Sequence, residues 1–342
     1  MKQRTLGRTG WLVGEIGLGT MGMGGGFGPV DDDQSVRTLL HAFERGVNFV
    51  DTALAYGEGR AHAVVARALR EWSGGKVYVA TKVWPMRWPS PWEDDPPMRG
   101  RYPAWYLAHE VEKCLKQLSL ERLDLLQLHC WLDRGVEELD WLESLNGLRL
   151  AGKVDRIGVS IRDNRPEEGV RLAQLGLVDT QQVVFNLFDQ RPAQQLFRAS
   201  AVQDTGFIAR VPFDSGALIG GWTPDTYAGW DEQTHSFHKS YFKGQRFAET
   251  YERVRSLERL CAPHYPTLAE AAMRFCLSDP AVSVVIPGMM RPEEVDLNVA
   301  YSDGRPFPDD LRQALRAHAW ARNFYFPDPE PEVELGASAF ED

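Results

Sequence analysis

The chain is poor in cysteine, in positive charge and in long apolar runs. Only four cysteines occur in 342 residues, Cys114, Cys130, Cys261 and Cys276, and none is spaced like a metal ligand pair. A disulfide scaffold and a zinc ribbon are thereby set aside, and free thiols in a reducing compartment are expected. The eight histidines form no HxH or HExxH cluster, so no metal site is expected. Lys and Arg total 38 against 48 Asp and Glu, a net charge of −10. With no basic cluster to offset that charge, a nucleic-acid partner is not expected. No run approaches the roughly 18 uninterrupted apolar residues of a membrane span. Met1-Lys2-Gln3-Arg4-Thr5 lacks the apolar stretch of a secretion signal, so a cytoplasmic location away from membranes is expected.

What the chain does have is alternation. Short β-rich runs at 15–19, 47–52, 77–83, 124–129, 156–161, 181–186, 207–212 and 282–287 are separated by amphipathic stretches. Those stretches lie near 34–45, 60–72, 104–118, 136–151, 167–175 and 193–203, with a final pair at 246–261 and 267–278. Strands such as Val282-Ser283-Val284-Val285-Ile286 are apolar on nearly every residue, as strands covered on both faces must be. Eight β-α repeats predict a parallel, eight-stranded (β/α)8 TIM barrel in a single α/β domain over residues 1–326. Residues 327–342 form an acidic, Pro-containing tail expected to lie on the surface or to be mobile. Two long insertions break the repeat. One, at 84–105, carries Trp84, Trp88, Trp92 and Trp105; the other, at 213–245, carries Trp222, Trp230 and Phe237.

Three strands end on chemistry. Phe49-Val50-Asp51 stops on an acid, with Tyr56 five residues later; Val79-Ala80-Thr81 is followed by Lys82; and Leu125-Leu126-Gln127-Leu128 leads into His129. Each has a plainer use alone: a turn acid, a surface tyrosine, a solvated lysine, a core histidine. In a parallel barrel the carboxyl ends of successive strands converge, which brings acid, phenol, ammonium and imidazole together. A phenol ordinarily titrates near 10 and donates near neutral pH when a neighbouring cation favours the phenolate. Gly17-Leu18-Gly19-Thr20-Met21-Gly22 also fits GxGxxG. Yet Met23-Gly24-Gly25-Gly26-Phe27-Gly28-Pro29 cannot continue as the required helix, and the next strand-ending acid, Asp51, is 34 residues past Gly17. A Rossmann unit needs it about 20 residues on. A flexible barrel-mouth loop is expected instead.

Asp51, Tyr56, Lys82 and His129, in that order, strongly resemble the catalytic tetrad of the aldo-keto reductases. The likeness runs over roughly residues 3–322, through Tyr56-Gly57-Glu58-Gly59, Asp124 to His129, Gly158-Val159-Ser160 and Val285-Ile286-Pro287-Gly288. It implies an NADP(H)-dependent oxidoreductase, with NAD(H) as the alternative, that reduces an aldehyde or ketone or oxidises the matching alcohol. Tyr56 would be the general acid, Lys82 paired with Asp51 its support, and His129 the orienting group for the carbonyl. The resemblance also implies that Gly19, Thr20 and Met21 approach the nicotinamide, with Asp51 among the same contacts. Ser160 and Gln182 would hold its carboxamide. Val211, Pro212, Phe213, Asp214 and Ser215 would follow the pyrophosphate, with Gly288, Met290, Glu294 and Asn298 along the adenosine end.

Departures from the family pattern carry their own expectations. Ile161 replaces an Asn after Ser160, removing one amide contact. Arg210 stands where an aromatic ring commonly stacks on the nicotinamide. Glu294 stands where a group favourable to the 2′-phosphate is usual, leaving Arg291, and more weakly Arg246, to supply the charge. Ala61-His62 replaces the usual Ser-Glu, which touches the cofactor. Trp84, two residues past Lys82, and Trp131, two past His129, are the candidate substrate rings, and several other tryptophans are expected only to pin the loops. They suit an apolar or ring-containing substrate. The alternative is a nicotinamide-binding regulatory or sensor module with slow turnover. A barrel hydrolase, which needs a facing pair of carboxylates, ranks below both.

Overall fold

A computed structural model describes residues 1–90, 93–163, 165–322 and 324. The chain opens with a small antiparallel hairpin, β1 (Gln3–Thr5) and β2 (Leu12–Gly14), which the sequence pattern had not suggested. Eight parallel strands follow: β3 (Leu18–Gly19), β4 (Phe49–Asp51), β5 (Tyr78–Val83), β6 (Leu123–Trp131), β7 (Val154–Ile161), β8 (Thr180–Val184), β9 (Gly206–Arg210) and β10 (Val282–Val285). Neighbours in sequence are neighbours in the sheet from β3 to β10. The ring closes where Gly17 N–H donates to Val285 O (2.8 Å), Val285 N–H to Glu15 O (2.9 Å) and Gly19 N–H to Pro287 O (2.9 Å). This is the expected (β/α)8 barrel.

Helices α1 (Asp32–Glu44), α2 (Arg60–Glu71), α3 (Ala104–Leu118), α4 (Asp140–Leu150), α5 (Val170–Leu175) and α6 (Leu196–Ala199) cover the first six parallel strands. Each turns an apolar face to the sheet, as α1 does with Val36, Leu39, Ala42 and Phe43, and Asp31 caps its first turn through Asp33 and Gln34 N–H. The stretch expected as one helix over 193–203 is broken into α6 and flanking 3-10 turns. After β9 come two short helices, α7 (Thr226–Gly229) and α8 (Ser236–Tyr241), then α9 (Gln245–Cys261) and α10 (Leu268–Leu277). Past β10 lie α11 (Pro292–Ala300), which starts after Arg291, and α12 (Asp309–Leu315).

The barrel interior is layered. Phe49, Ala80, Leu125, Ile208 and Val284 meet Leu6, Trp11 and Val13 of the hairpin in an apolar cluster distinct from the one between sheet and helices. Trp11 stacks on Tyr78 at 4.4 Å, so the hairpin plugs the amino end of the barrel. Because side chains alternate along a strand, residues two positions on also face inward. Those residues are Asp51, Lys82, Gln127 and Arg210, so the layer above the plug is polar. The acidic tail, 327–342, and Trp92 lie outside the described residues.

Candidate active site

The upper layer converges on Lys82. Its ammonium is buried, makes a close ion pair with Asp51, and donates to Thr52 O (3.0 Å) and to Tyr56 Oη (3.2 Å). Burial alone would lower its pKa, but the Asp51 carboxylate and the Tyr56 oxygen outweigh that and hold it above the ordinary lysine range. Asp51 is fixed from its other side by Gln182 Nε2 (2.7 Å) and Gln127 Nε2 (3.3 Å). Gln182, expected at the nicotinamide carboxamide, thus gives its amide N–H to the acid. Burial, with Lys82 and Arg210 nearby, holds His129 well below the usual histidine range, so its ring is neutral. The Tyr56 and His129 rings lie edge to face at 6.0 Å.

Tyr56 owes its place to two glycines. Gly57 has φ +62, and a Cβ there would stand 2.2 Å from Gly24 O; a Cβ on Gly24 would stand 2.7 Å from the Tyr56 backbone. The Gly-rich segment after β3 is therefore packed against the Tyr56 turn, where a flexible loop was expected. It is also roofed from the far side, with Phe27 edge to face on Phe237 at 5.0 Å.

Above this layer opens a cleft of about 1070 Å³, at the top of the ordinary range for small-molecule sites. Tyr56, His129, Trp84 and Trp88 gather at one end, and Gly19, Thr20, Met21, Ser160, Gln182 and Gly288 line its floor. Val211, Pro212, Phe213 and Ser215 form the wall after β9. Trp84 and Trp88 meet at 5.8 Å and lie 6.2 and 6.3 Å from the His129 ring. Sequence reasoning does not single out Trp88 as a substrate ring. Its neighbour Trp84, also half-exposed at the barrel mouth, was the available signal.

The other residues expected at the site have these surroundings. Trp131 does not reach the cleft; it is fully buried, packs on Trp141 at 5.1 Å and donates its indole N–H to Glu168 O (2.9 Å). Trp131 is spaced two residues from His129, but β6 shifts register against β7 after Leu128, and the shift sets Trp131 behind the sheet. Asp214 is turned away from the cleft into a buried ion pair with Arg322. Arg210 does line the cleft, but its guanidinium is held by Asp163 and donates to Ile161 O (3.1 Å). Arg291 is paired with Glu294 at 3.0 Å, and Glu294 also accepts Met290 N–H (2.7 Å), just ahead of α11. Asn298 donates to Glu294 O (2.7 Å). Met290, Arg291, Glu294 and Asn298 thus bond one another just beyond Gly288. Arg246 donates to Phe324 O (2.9 Å). His62 is buried behind β5 between Gln117 (2.9 Å) and Thr81 (2.8 Å), and burial lowers its pKa to about 4. Trp222 and Trp230 pack on Phe247 and serve as loop anchors, as expected of part of this aromatic set.

The model of the aldo/keto reductase family matches residues 15–319. The chain belongs to that family. It is an oxidoreductase of carbonyl or alcohol groups that uses a nicotinamide cofactor. Aldo-keto reductase YhdN of Bacillus subtilis is 28% identical over 86% of this chain and 87% of its own length. The NADH-specific methylglyoxal reductase of Escherichia coli is 26% identical over 88% of this chain and 93% of its own. Among solved structures, the glycerol dehydrogenase of Gluconobacter oxydans shares the fold, with TM-score 0.74, 24% identity, and coverage of 93% of this chain and 94% of that one. No described helix is long and apolar enough to cross a membrane.

Proposed function

We propose that this protein reduces an aldehyde or ketone, or oxidises the matching alcohol, with Tyr56 as general acid and NADP(H) as cofactor. The single observation that carries the reading is the Lys82 ammonium, buried and bonded at once to the Asp51 carboxylate and the Tyr56 oxygen. The cleft fits a dinucleotide: its volume exceeds what a small carbonyl needs, and Gly19 and Gly288 let backbone reach its floor without a side chain of their own. Ser160 and the 211–215 wall, apart from Asp214, would hold the cofactor, which supplies hydride chemistry when bound.

The protein's own part is proton handling and positioning. Tyr56 gives its proton to the carbonyl oxygen, and Lys82 stabilises the phenolate left behind. Asp51, steadied by Gln127 and Gln182, keeps Lys82 charged and aimed. The neutral His129 can donate one hydrogen bond to the same oxygen and fix its direction. Trp84 and Trp88 offer flat apolar faces that suit a ring-containing or apolar substrate. Completeness of this set favours an enzyme over a sensor module.

A second reading of the cofactor, NAD(H), is favoured by the Arg291–Glu294 pair. A cation already matched by a carboxylate gains little from a 2′-phosphate, and one relative is named for its NADH specificity. Measured Kd values for NADPH and NADH decide between them. The four cysteines, all free and buried, support a cytoplasmic location. The test of function is loss of nicotinamide absorbance with a reactive aromatic aldehyde. Turnover is expected with at least one reduced cofactor, and tight binding of both without turnover would favour the sensor reading.

A further inference from the structure

The wall after β9 is strained. Val211, Asp214 and Ser215 all have positive φ, at 58°, 48° and 55°, followed by Gly216 at 94°. A β-branched residue such as Val211 rarely adopts that region, and a run of this kind persists only when its surroundings impose it. Phe213 and Ser215 border the cleft on either side of Asp214. Asp214 alone turns back, into the ion pair with Arg322, 108 residues downstream. Both side chains are buried.

Arg322 is itself firmly seated. Its guanidinium carbon lies 4.0 Å from the centroid of Trp320 and 4.8 Å from those of Phe188 and Phe324. Trp320 N–H donates to Phe188 O (2.8 Å), so the segment beyond α12 is tied to the loop after β8. Successive backbone N–H groups in left-handed turns line a hollow that favours an anion; here Asp214 and Gly216 N–H close turns onto Val211 O (3.1 Å) and Phe213 O (3.0 Å), which leaves Ser215 N–H between them. A bare carboxylate beside such a hollow would oppose it.

We propose that Arg322 is a positioning residue for the dinucleotide. Through Asp214 it holds the 211–216 wall in its left-handed form and cancels a carboxylate that would otherwise oppose the phosphates beside that wall. The inference rests on the reading of the cleft as a dinucleotide site.

The test compares the unmodified protein with Arg322→Gln, Arg322→Lys, Asp214→Asn and the Asp214→Asn/Arg322→Gln double variant. NADPH Kd is read by quenching of tryptophan fluorescence, beside Tm and steady-state kinetics. Arg322→Gln is expected to raise Kd by about tenfold, equivalent to about 1.4 kcal/mol, while kcat at saturating NADPH changes far less. Arg322→Lys is expected to recover part of the loss. The double variant should bind NADPH more tightly than Arg322→Gln alone, because the exposed carboxylate is gone. An unchanged Kd with a lowered Tm in Arg322→Gln would overturn the proposal and leave the pair a purely structural tie. Should Arg322→Gln not fold, Arg322→Lys and Asp214→Asn decide on the same readout, with a weakened Kd upholding the inference and an unchanged one overturning it. Failure of the unmodified protein to bind either NADPH or NADH is a distinct result and would strike the reading of the cleft itself.

Discussion

The lower and upper layers of the barrel interior are built from the same strands, two residues apart. Phe49 sits below Asp51, Ala80 below Lys82, Leu125 below Gln127 and Ile208 below Arg210. Below, the side chains fill space against the amino-terminal hairpin and gain stability from apolar burial. Above, buried charges and amides bond one another around Lys82, an arrangement that adds little net stability and fixes geometry. Strand periodicity puts both sets inside. Where the strand stops decides which set meets the cleft, so folding and chemistry occupy successive turns of one pleat.

The comparison breaks most sharply at Lys82. Lys82→Met leaves Asp51 buried and unpaired, so the expected outcome is a loss of about 3–5 kcal/mol in a urea melt. Carbonyl reduction should fall by at least the roughly 10²–10⁴-fold of a lost acid function. Phe49→Ala, two residues below Asp51, should cost a similar 3–5 kcal/mol by leaving a cavity. Its kcat, assayed where the variant is folded, should stay near that of the unmodified enzyme. If both variants lost activity equally, the division between layers would be wrong.

Acid sensitivity gives an intermediate effect. His62 is neutral when folded, with its pKa lowered to about 4, but takes a proton near pH 6.5 when unfolded. The unfolded chain therefore binds more protons in that window, and stability falls as pH drops from about 6.5 to 4. The loss from this group reaches about 3 kcal/mol at most. Stability curves of His62→Gln should be flatter over that range, and an unaltered slope would contradict the assignment. The smallest effect separates two tryptophans. Trp84→Ala should raise KM for an aromatic aldehyde by roughly 0.5–1.5 kcal/mol of lost contact with cofactor Kd unchanged, whereas Trp131→Ala should lower Tm. Equal behaviour of the two would show that Trp84 is scaffolding.

Most of the barrel and the four converging residues are legible in the sequence because both follow from strand spacing. Asp51, Lys82 and His129 end runs whose apolar pattern marks the strands, and Tyr56 follows at a fixed short distance. What stays hidden depends on tertiary pairing. Nothing local tells that Asp214 will turn towards Arg322, that Glu294 will take Arg291, or that Gln182 will bond Asp51. Trp131 misleads because its spacing of two from His129 implies the same face, while the register shift of β6 against β7 after Leu128 turns it behind the sheet. The amino-terminal hairpin is not legible because its strands are only three residues each and one, Gln3-Arg4-Thr5, is wholly polar.

The central claim, that the upper layer transfers a proton through Tyr56, is tested most directly by Tyr56→Phe. Reduction of an aromatic aldehyde and Kd for the reduced cofactor are measured side by side with the unmodified enzyme. The account predicts a rate lower by about 10²–10⁴-fold with Kd unchanged, since only a hydroxyl is removed. A rate near that of the unmodified enzyme, with cofactor bound, would contradict it.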